Sequence, residues 1–243
     1  MSKPVFVLLH GAGHTPRCWD RLVEELAKAG YESVAPALPS SGSTPPTPGW
    51  STDVEVILNT VTNLVGKEHD IVVVMHSFSG LTGGTALDGL DKESRASKNL
   101  GGGVVRLIYV VAFLVPKGFQ HSPHVQVGIV TVRPEDAKSM FYQELDDGII
   151  AELVKDLQPQ SFGAFWSKTT HAAWRHIPTI YIICEADRPT TVAAAQYLVD
   201  SAKAPGVSHK IDNLIKVDAG HSPFISKSWW TASILIEEAN KSV

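Results

Sequence analysis

The residues of this chain best suited to chemistry are a serine, an aspartate and a histidine, far apart in sequence but each close behind an apolar run. Ser77 ends Ile71-Val72-Val73-Val74-Met75-His76 and is followed by the small-residue segment Phe78-Ser79-Gly80. An apolar β-branched run that stops at a serine and enters a helical segment reads as a strand-to-helix turn exposing a hydroxyl. Asp187 follows Thr179-Ile180-Tyr181-Ile182-Ile183-Cys184, and His221 follows Val217-Asp218-Ala219-Gly220. A serine hydroxyl is a poor nucleophile at neutral pH. It needs a base in hydrogen-bond reach, a group that orients the base, and donors for the oxyanion that forms. Ser77, His221 and Asp187 fill the first three roles. The backbone N–H groups of Phe78 and of Ala12, in the turn Leu9-His10-Gly11-Ala12-Gly13-His14, are the expected oxyanion donors.

Each residue alone has an ordinary reading. A serine after a strand is usually a turn or cap residue, and Asp187 could cap the segment after Pro189. Their joint placement behind successive strands is what carries the assignment. Ser79 competes as nucleophile, but it would put Leu81 where a small residue is needed for close helix–strand packing. Glu185 and Asp218 compete as the orienting acid; the first is still near the strand body, the second too close in sequence to His221 to approach its ring easily. The other histidines are scattered, and the pair His121 and His124 lacks further ligands at metal-site spacing. No metal site is expected.

Positioning such residues requires a scaffold of strands and helices. Strand-like runs at 4–9, 32–36, 70–76, 104–113, 178–184 and 211–218 alternate with amphipathic stretches at 17–29, 52–66, 79–89, 190–202 and 225–240. Continuously apolar strands in βα alternation predict an α/β fold, a mainly parallel central sheet with helices on both faces. In such sheets, sites collect at the carboxyl ends of the strands. Residues 39–49 are rich in proline and glycine and predict a surface loop. Residues 91–103 read as a flexible, solvated connection. The stretch 116–176 has helix signals at Pro134-Glu135-Asp136-Ala137 and from Asp146 to Leu157 but no evident parallel strand, so we expect a cap inserted after the fourth strand. The final helix must bury a stripe, which favours Trp229 and Trp230 as core, with one of them facing a partner subunit as the alternative.

The bulk numbers agree with one catalytic domain spanning 1–243. The hydrophobic fraction is 44%, and the formal charge of −4 comes from interspersed acids and bases. Neither a nucleic-acid nor an anionic-membrane footprint is present. The run Val5-Phe6-Val7-Leu8-Leu9 is too short for a signal peptide's apolar core, and no apolar run approaches the roughly 20 residues of a membrane span. The two cysteines, Cys18 and Cys184, are too few for a disulfide framework. Free thiols and a cytoplasmic location are the expectation.

With these residues in view, the chain resembles the α/β-hydrolase superfamily, and within it the small branch of plant methylesterases, hydroxynitrile lyases and related bacterial and fungal esterases. The resemblance runs through Val7-Leu8-Leu9-His10-Gly11-Ala12, Val34-Ala35-Pro36-Ala37-Leu38-Pro39, Met75-His76-Ser77-Phe78-Ser79-Gly80, His171-Ala172-Ala173-Trp174-Arg175 with Ile177-Pro178-Thr179, and Gly220-His221-Ser222-Pro223-Phe224. Ser, Asp, His is also that superfamily's triad order. The resemblance implies a cofactor-independent enzyme. Two departures stand out. Met75 and Ser79 replace the glycines usual on either side of the nucleophile turn. The lysine that the lyases of this branch carry beside the catalytic histidine is absent, since Ser222 follows His221 and the next lysine is Lys227.

An apolar and aromatic cap set, Met140, Phe141, Tyr142, Leu145, Phe162, Phe165 and Trp166, is suited either to lining a pocket or to packing on itself. His14, Met75, Phe141 and Trp166 are the candidates for substrate contact. The leading expectation is a serine hydrolase that cleaves a small, uncharged, partly hydrophobic ester or lactone through an acyl-enzyme. Two alternatives are kept. One is a lyase, carbon–carbon cleavage or cyclisation step on the same fold, motivated by Met75; the other is a ligand receptor with little turnover. A homodimer is possible in each case.

Overall fold

The structure is a computed structural model that describes residues 3–122 and 128–242. Its elements in chain order are β1 Val5–Leu9, α1 Asp20–Lys28, β2 Ser33–Val34, α2 Ser51–Val65, β3 Asp70–His76, α3 Ser79–Ala86, α4 Lys92–Ala96, β4 Gly103–Val110, β5 Ile129–Val130, α5 Pro134–Met140, α6 Asp147–Leu153, β6 Gln160–Ser161, β7 Thr179–Cys184, α7 Val192–Ala202, β8 Ile211–Val217, α8 Pro223–Ser226 and α9 Ser228–Asn240. Six strands form one parallel sheet in the order β2-β1-β3-β4-β7-β8. β1 sends the chain to β2 on one side and then to β3 on the other, so the turns after β1 and β3 flank the point where strand order reverses. That is where open parallel sheets leave a crevice.

Successive residues of each strand point to opposite faces, and the core divides accordingly. Val7, Leu9, Val73, Met75, Tyr109 and Ile183 pack on one face with Ile57, Val61 and Val65 of α2 and Ala195 and Val199 of α7. Phe6, Leu8, Val72, Val74, Ile108 and Ile182 pack on the other with Leu22 and Leu26 of α1 and Ala232 and Leu235 of α9. Trp230 joins this second cluster, whereas Trp229 is 68% exposed, so only one of the two tryptophans is near the core. Cys18 and Cys184 are buried free thiols. No described helix is long and apolar enough to cross a membrane.

Two local outcomes depart from the sequence reading. The fourth strand ends at Val110 rather than 113, because Val111 takes a φ of 42°, a conformation a β-branched residue rarely adopts, and the chain turns away. Residues 91–103 are not a plain linker: Asp91 caps α4 by accepting the Ser94 N–H at 2.8 Å. Between β4 and β7 the chain builds α5, α6 and the antiparallel pair β5–β6, with 3-10 turns at Val154–Asp156, Phe162–Trp166 and Ala173–Arg175. These elements fall in the stretch where a cap is expected; residues 123–127, which include His124 of the histidine pair, lie outside the described residues. Its partner His121 packs its ring against Phe113 and Phe165.

Met75, a substrate-contact candidate in the sequence, is fully buried on the α2–α3 face of the sheet. The reason is Gly83 on α3: a Cβ there would lie 2.6 Å from Met75 Sδ and 2.9 Å from Leu9 Cδ1. The bulk added at position 75 is accommodated by the missing side chain at 83. Gly83→Val is therefore expected to destabilise the fold by about 1–3 kcal/mol through overpacking, and the loss should shrink in a Met75→Ala background. Urea unfolding of the two single variants and the double variant measures this coupling; strictly additive losses would show that the two positions do not share space.

Candidate active site

The turn after β3 places Ser77 at φ 52°, in the left-handed region that a side chain enters only when its surroundings hold it there. They do so at several points. The Ser77 N–H donates to the Val110 carbonyl (3.2 Å), and its own carbonyl accepts from Gly80 (3.2 Å) and Phe113 (3.1 Å). Gly80 has no alternative at its position, since a Cβ would lie 2.5 Å from the Phe113 carbonyl oxygen. Ser79, in place of a glycine, is fully buried and active in the turn: its hydroxyl oxygen accepts the His76 N–H (2.9 Å) and lies 2.8 Å from the Leu9 carbonyl, which it can donate to. That bond ties the turn to the end of β1. It also commits Ser79 structurally and leaves Ser77 as the hydroxyl that faces open space.

Asp187 and His221 come from the turns after β7 and β8, which Glu185 and Ala186 bind together by donating to the carbonyls of Val217 (2.8 Å) and Ala219 (3.0 Å). His221 Nδ1 lies 2.9 Å from Asp187 Oδ2, and both side chains are closed to solvent. Asp187 also accepts the Thr190 N–H at 3.3 Å through Oδ1. A carboxylate on Nδ1 fixes the imidazole with its proton on that nitrogen and leaves Nε2 as the free base. Of the three acids weighed, Glu185 and Asp218 are exposed and Asp187 is the one against the ring.

The backbone of the β1 turn is held at nearly every polar group. His10 Nε2 accepts the Leu38 N–H (3.2 Å), so its proton is on Nδ1 and points to the Gly11 carbonyl at 2.9 Å. The His14 N–H donates to the same carbonyl at 3.3 Å. In a trans peptide the N–H points opposite to the C=O. Fixing Gly11 C=O from one side therefore aims Ala12 N–H to the other. Neither Ala12 N–H nor Phe78 N–H has a hydrogen-bond partner among the described residues. Gly11 itself is required, since a Cβ there would lie 2.8 Å from His76 Nδ1. Burial lowers the pKa of His10 to about 4 and of His14 to about 3, and pushes His76 well below the usual value. His10 and His14 act as neutral donors and acceptors, and His76 as a neutral donor through Nε2.

Ser77, His221 and Ala12 share a cavity of about 470 Å³ whose remaining walls include Val130, Val132, Met140, Phe141, Val154, Leu157, Phe165 and Pro189. The larger part of the accessible lining is apolar, and among the described residues no lysine, arginine, aspartate or glutamate is on it. Of the four substrate-contact candidates, Phe141 is on this wall, stacked on His221 at 5.7 Å between ring centres. The other three are placed elsewhere. Met75 is in the core. His14 is behind Phe141, with Nδ1 on the Ala12 carbonyl (3.0 Å) and Nε2 on the Tyr142 hydroxyl (3.2 Å). Trp166 stacks on Phe162, and its neighbour Phe165 takes the wall position. An aromatic-rich run marks a pocket wall in sequence without telling which ring faces inward.

Several contributors carry no signal in the sequence. Gln143 and Glu144, in the turn after α5, accept the backbone N–H groups of His221 and Gly220, each at 2.8 Å, and Glu144 also accepts the Ser226 hydroxyl at 2.6 Å. His76 holds the same loop from below, with Nε2 2.9 Å from the His221 carbonyl. Gln160 accepts the Gly13 N–H at 3.1 Å. Polar residues in a polar insertion look like ordinary surface until the fold brings them to a backbone. Among the described residues no three metal-ligating side chains are gathered to hold an ion.

A model of the alpha/beta hydrolase family matches residues 6–228. The chain is 31% identical to alpha/beta hydrolase nvfD of Aspergillus novofumigatus over 239 residues, which cover 93% of this chain and 92% of that one. It is 25% identical to esterase PIR7B of Oryza sativa subsp. japonica over 285 aligned positions, covering 99% and 97%. The crystal structure of the methylesterase MES16 from Arabidopsis aligns with a TM-score of 0.75 at 20% identity, covering 98% of this chain and 99% of that one, and shares its fold.

Asp53 on α2, buried behind the β1 turn, offers a test by pH. Its carboxyl is raised from 3.8 to about 6, mainly by burial, which the hydrogen bonds from Ser40 only partly offset. Between about pH 4 and 6 the folded state keeps a proton that the unfolded chain has released, so stability falls as pH rises through that window and is level above it. The full cost of the ionised form is on the order of 3 kcal/mol. Denaturation of the native chain and Asp53→Asn at pH 4 and pH 7.5 should show the variant gaining relative stability at the higher pH; a constant difference would contradict the assignment.

Proposed function

The chain belongs to the alpha/beta hydrolase family, and we propose that it is a serine carboxylesterase acting on a small, uncharged, partly hydrophobic ester or lactone. The observation that supports this most is the closed His221–Asp187 pair bordering the same apolar cavity as the strained Ser77. Ser77 Oγ attacks the carbonyl carbon while His221 Nε2 takes its proton, and the carbonyl oxygen becomes an oxyanion within reach of the Ala12 and Phe78 N–H groups. The tetrahedral species collapses by expelling the alkoxide, which leaves with the proton held on His221. Water, deprotonated by the same nitrogen, then attacks the acyl-enzyme, and the carboxylic acid is released as Ser77 regains its proton. With a lactone the alkoxide stays tethered to the acyl group.

The cavity wall supports the substrate class. An anionic substrate would meet no lysine or arginine among the described residues there, while apolar groups on the acyl or alcohol side find Val, Leu, Met and Phe side chains. The carboxylate product meets the same surroundings, which favours its release. A lyase or cyclisation reaction draws its motive from a nucleophile turn reshaped by Met75. With that side chain buried against Gly83, the motive is gone and hydrolysis is the better reading.

A panel of aryl and alkyl esters and lactones tests the proposal. Multiple turnover is expected, with stoichiometric labelling of Ser77 by a fluorophosphonate and a fall in kcat of about 10⁴-fold or more for both Ser77→Ala and Asp187→Asn. Turnover that survives Ser77→Ala would overturn it, and tight ligand binding with negligible product over hours would point to a receptor.

A further inference from the structure

Asp53 is fully buried, and among the described residues no cation meets it; its partners are the backbone N–H of Ser40 at 2.7 Å and the Ser40 hydroxyl. A carboxylate held at a desolvation cost, and unused by the steps above, calls for a reason. Its ionised form can only accept hydrogen bonds. The single proton of the Ser40 hydroxyl is therefore committed to Asp53, and Ser40 Oγ must act as acceptor toward its other neighbour. That neighbour is Gln160 Nε2, at 2.9 Å. With its NH₂ group placed there, the amide of Gln160 turns its oxygen the opposite way, to the Ser41 hydroxyl (2.8 Å) and the Gly13 N–H (3.1 Å). Reversing the amide would set two donors, Gln160 NH₂ and Gly13 N–H, against each other.

The Gly13 N–H belongs to the peptide that follows Ala12, and the carbonyl of that same peptide is held by His14. Both of its polar groups are thus fixed, one of them by the cap. The next peptide is held as well, since Gln158 donates its N–H to the Gly13 carbonyl at 2.8 Å. We propose that Gln160 is a positioning residue for the oxyanion loop, and that Ser40 and Asp53 set the direction of its amide so that the loop presents Ala12 N–H to the reacting carbonyl. This rests on the reading of Ala12 as an oxyanion donor. Gln160 also borders the cavity, so direct contact with substrate is the rival role. The two differ in what they stabilise: a substrate contact acts on the ground state, whereas a correctly placed oxyanion donor acts on the tetrahedral state.

The experiment compares the native chain with Gln160→Met, Ser40→Ala and Asp53→Asn. Three quantities are read: kcat and KM on an aryl ester, the inhibition constant of a trifluoromethyl ketone that adds Ser77 to form a tetrahedral oxyanion, and that of the matching methyl ketone, which binds without adding. Gln160→Met should lower kcat by about 10- to 100-fold and weaken the trifluoromethyl ketone in proportion, while KM and the methyl ketone stay within about threefold. Ser40→Ala and Asp53→Asn, outside the cavity, should move kcat and the trifluoromethyl ketone the same way by smaller factors. They carry the test if Gln160→Met does not fold. Variants within about twofold of native in kcat and trifluoromethyl ketone affinity, or a change confined to KM, would overturn the proposal. A native chain that neither turns over esters nor forms the ketone adduct would instead remove the oxyanion reading beneath it, and the proposal with it.

Discussion

The bond from His221 Nδ1 to Asp187 Oδ2, closed away from water, is the interaction on which the rest of the structure depends. It joins two turns on neighbouring strands, and a mobile loop on either side would loosen it. The fold answers with contacts from three directions. β7 and β8 bind their turns together through backbone bonds; His76 holds the His221 carbonyl from the sheet; Gln143 and Glu144 hold the amides of His221 and Gly220 from the cap. The ring itself is set between His76 and Phe141. A side chain on a loop is thereby held as firmly as one on a strand.

Histidine does a second kind of work in this site. Burial keeps His10, His14 and His76 neutral, and a neutral imidazole has one donor and one acceptor whose places are set by its neighbours. His10 takes the Leu38 N–H and gives its proton to Gly11 C=O; His14 takes the Tyr142 hydroxyl and gives its proton to Ala12 C=O. Each ring converts a distant donor into a donor at the β1 turn, where a straight backbone bond could not reach. His221 differs because a carboxylate, rather than a carbonyl, faces its Nδ1. That partner can stabilise the cation the ring becomes when it accepts a proton.

Elements whose residues face the same environment along their length were legible in the sequence. The largely apolar runs of β1, β3, β4 and β7, broken in β4 by Arg106, signal a doubly covered parallel sheet on their own, and the places of Ser77, Asp187 and His221 behind strands β3, β7 and β8 could be read from such runs. What could not be read is pairwise: Gly83 yielding space to Met75, Ser79 reaching back to Leu9, or Phe165 rather than Trp166 facing the cavity. A single chain shows the type of each residue but not its neighbour across the fold. The cap was hardest for the same reason, because its short elements, irregular turns and polar contacts to backbone leave no periodic trace.

The cap is then better regarded as part of the site's foundation than as a cover laid over it. It supplies the cavity wall through Met140, Phe141 and Leu157, the hold on the His221 loop through Gln143 and Glu144, and the hold on the β1 turn through Tyr142, Gln158 and Gln160. These contacts fall on two sides of the cavity, the His221–Asp187 pair on one and the β1 turn with Ala12 on the other. A large outward swing of the whole insertion would break both sets together and free the His221 loop and the β1 turn along with the wall. The edge strand β5, with exposed Ile129 and Val130, makes none of these bonds itself, although its partner strand β6 carries Gln160. The wall can accordingly vary in residue type at Val130 while the side chains that hold the His221 loop and the β1 turn are unchanged.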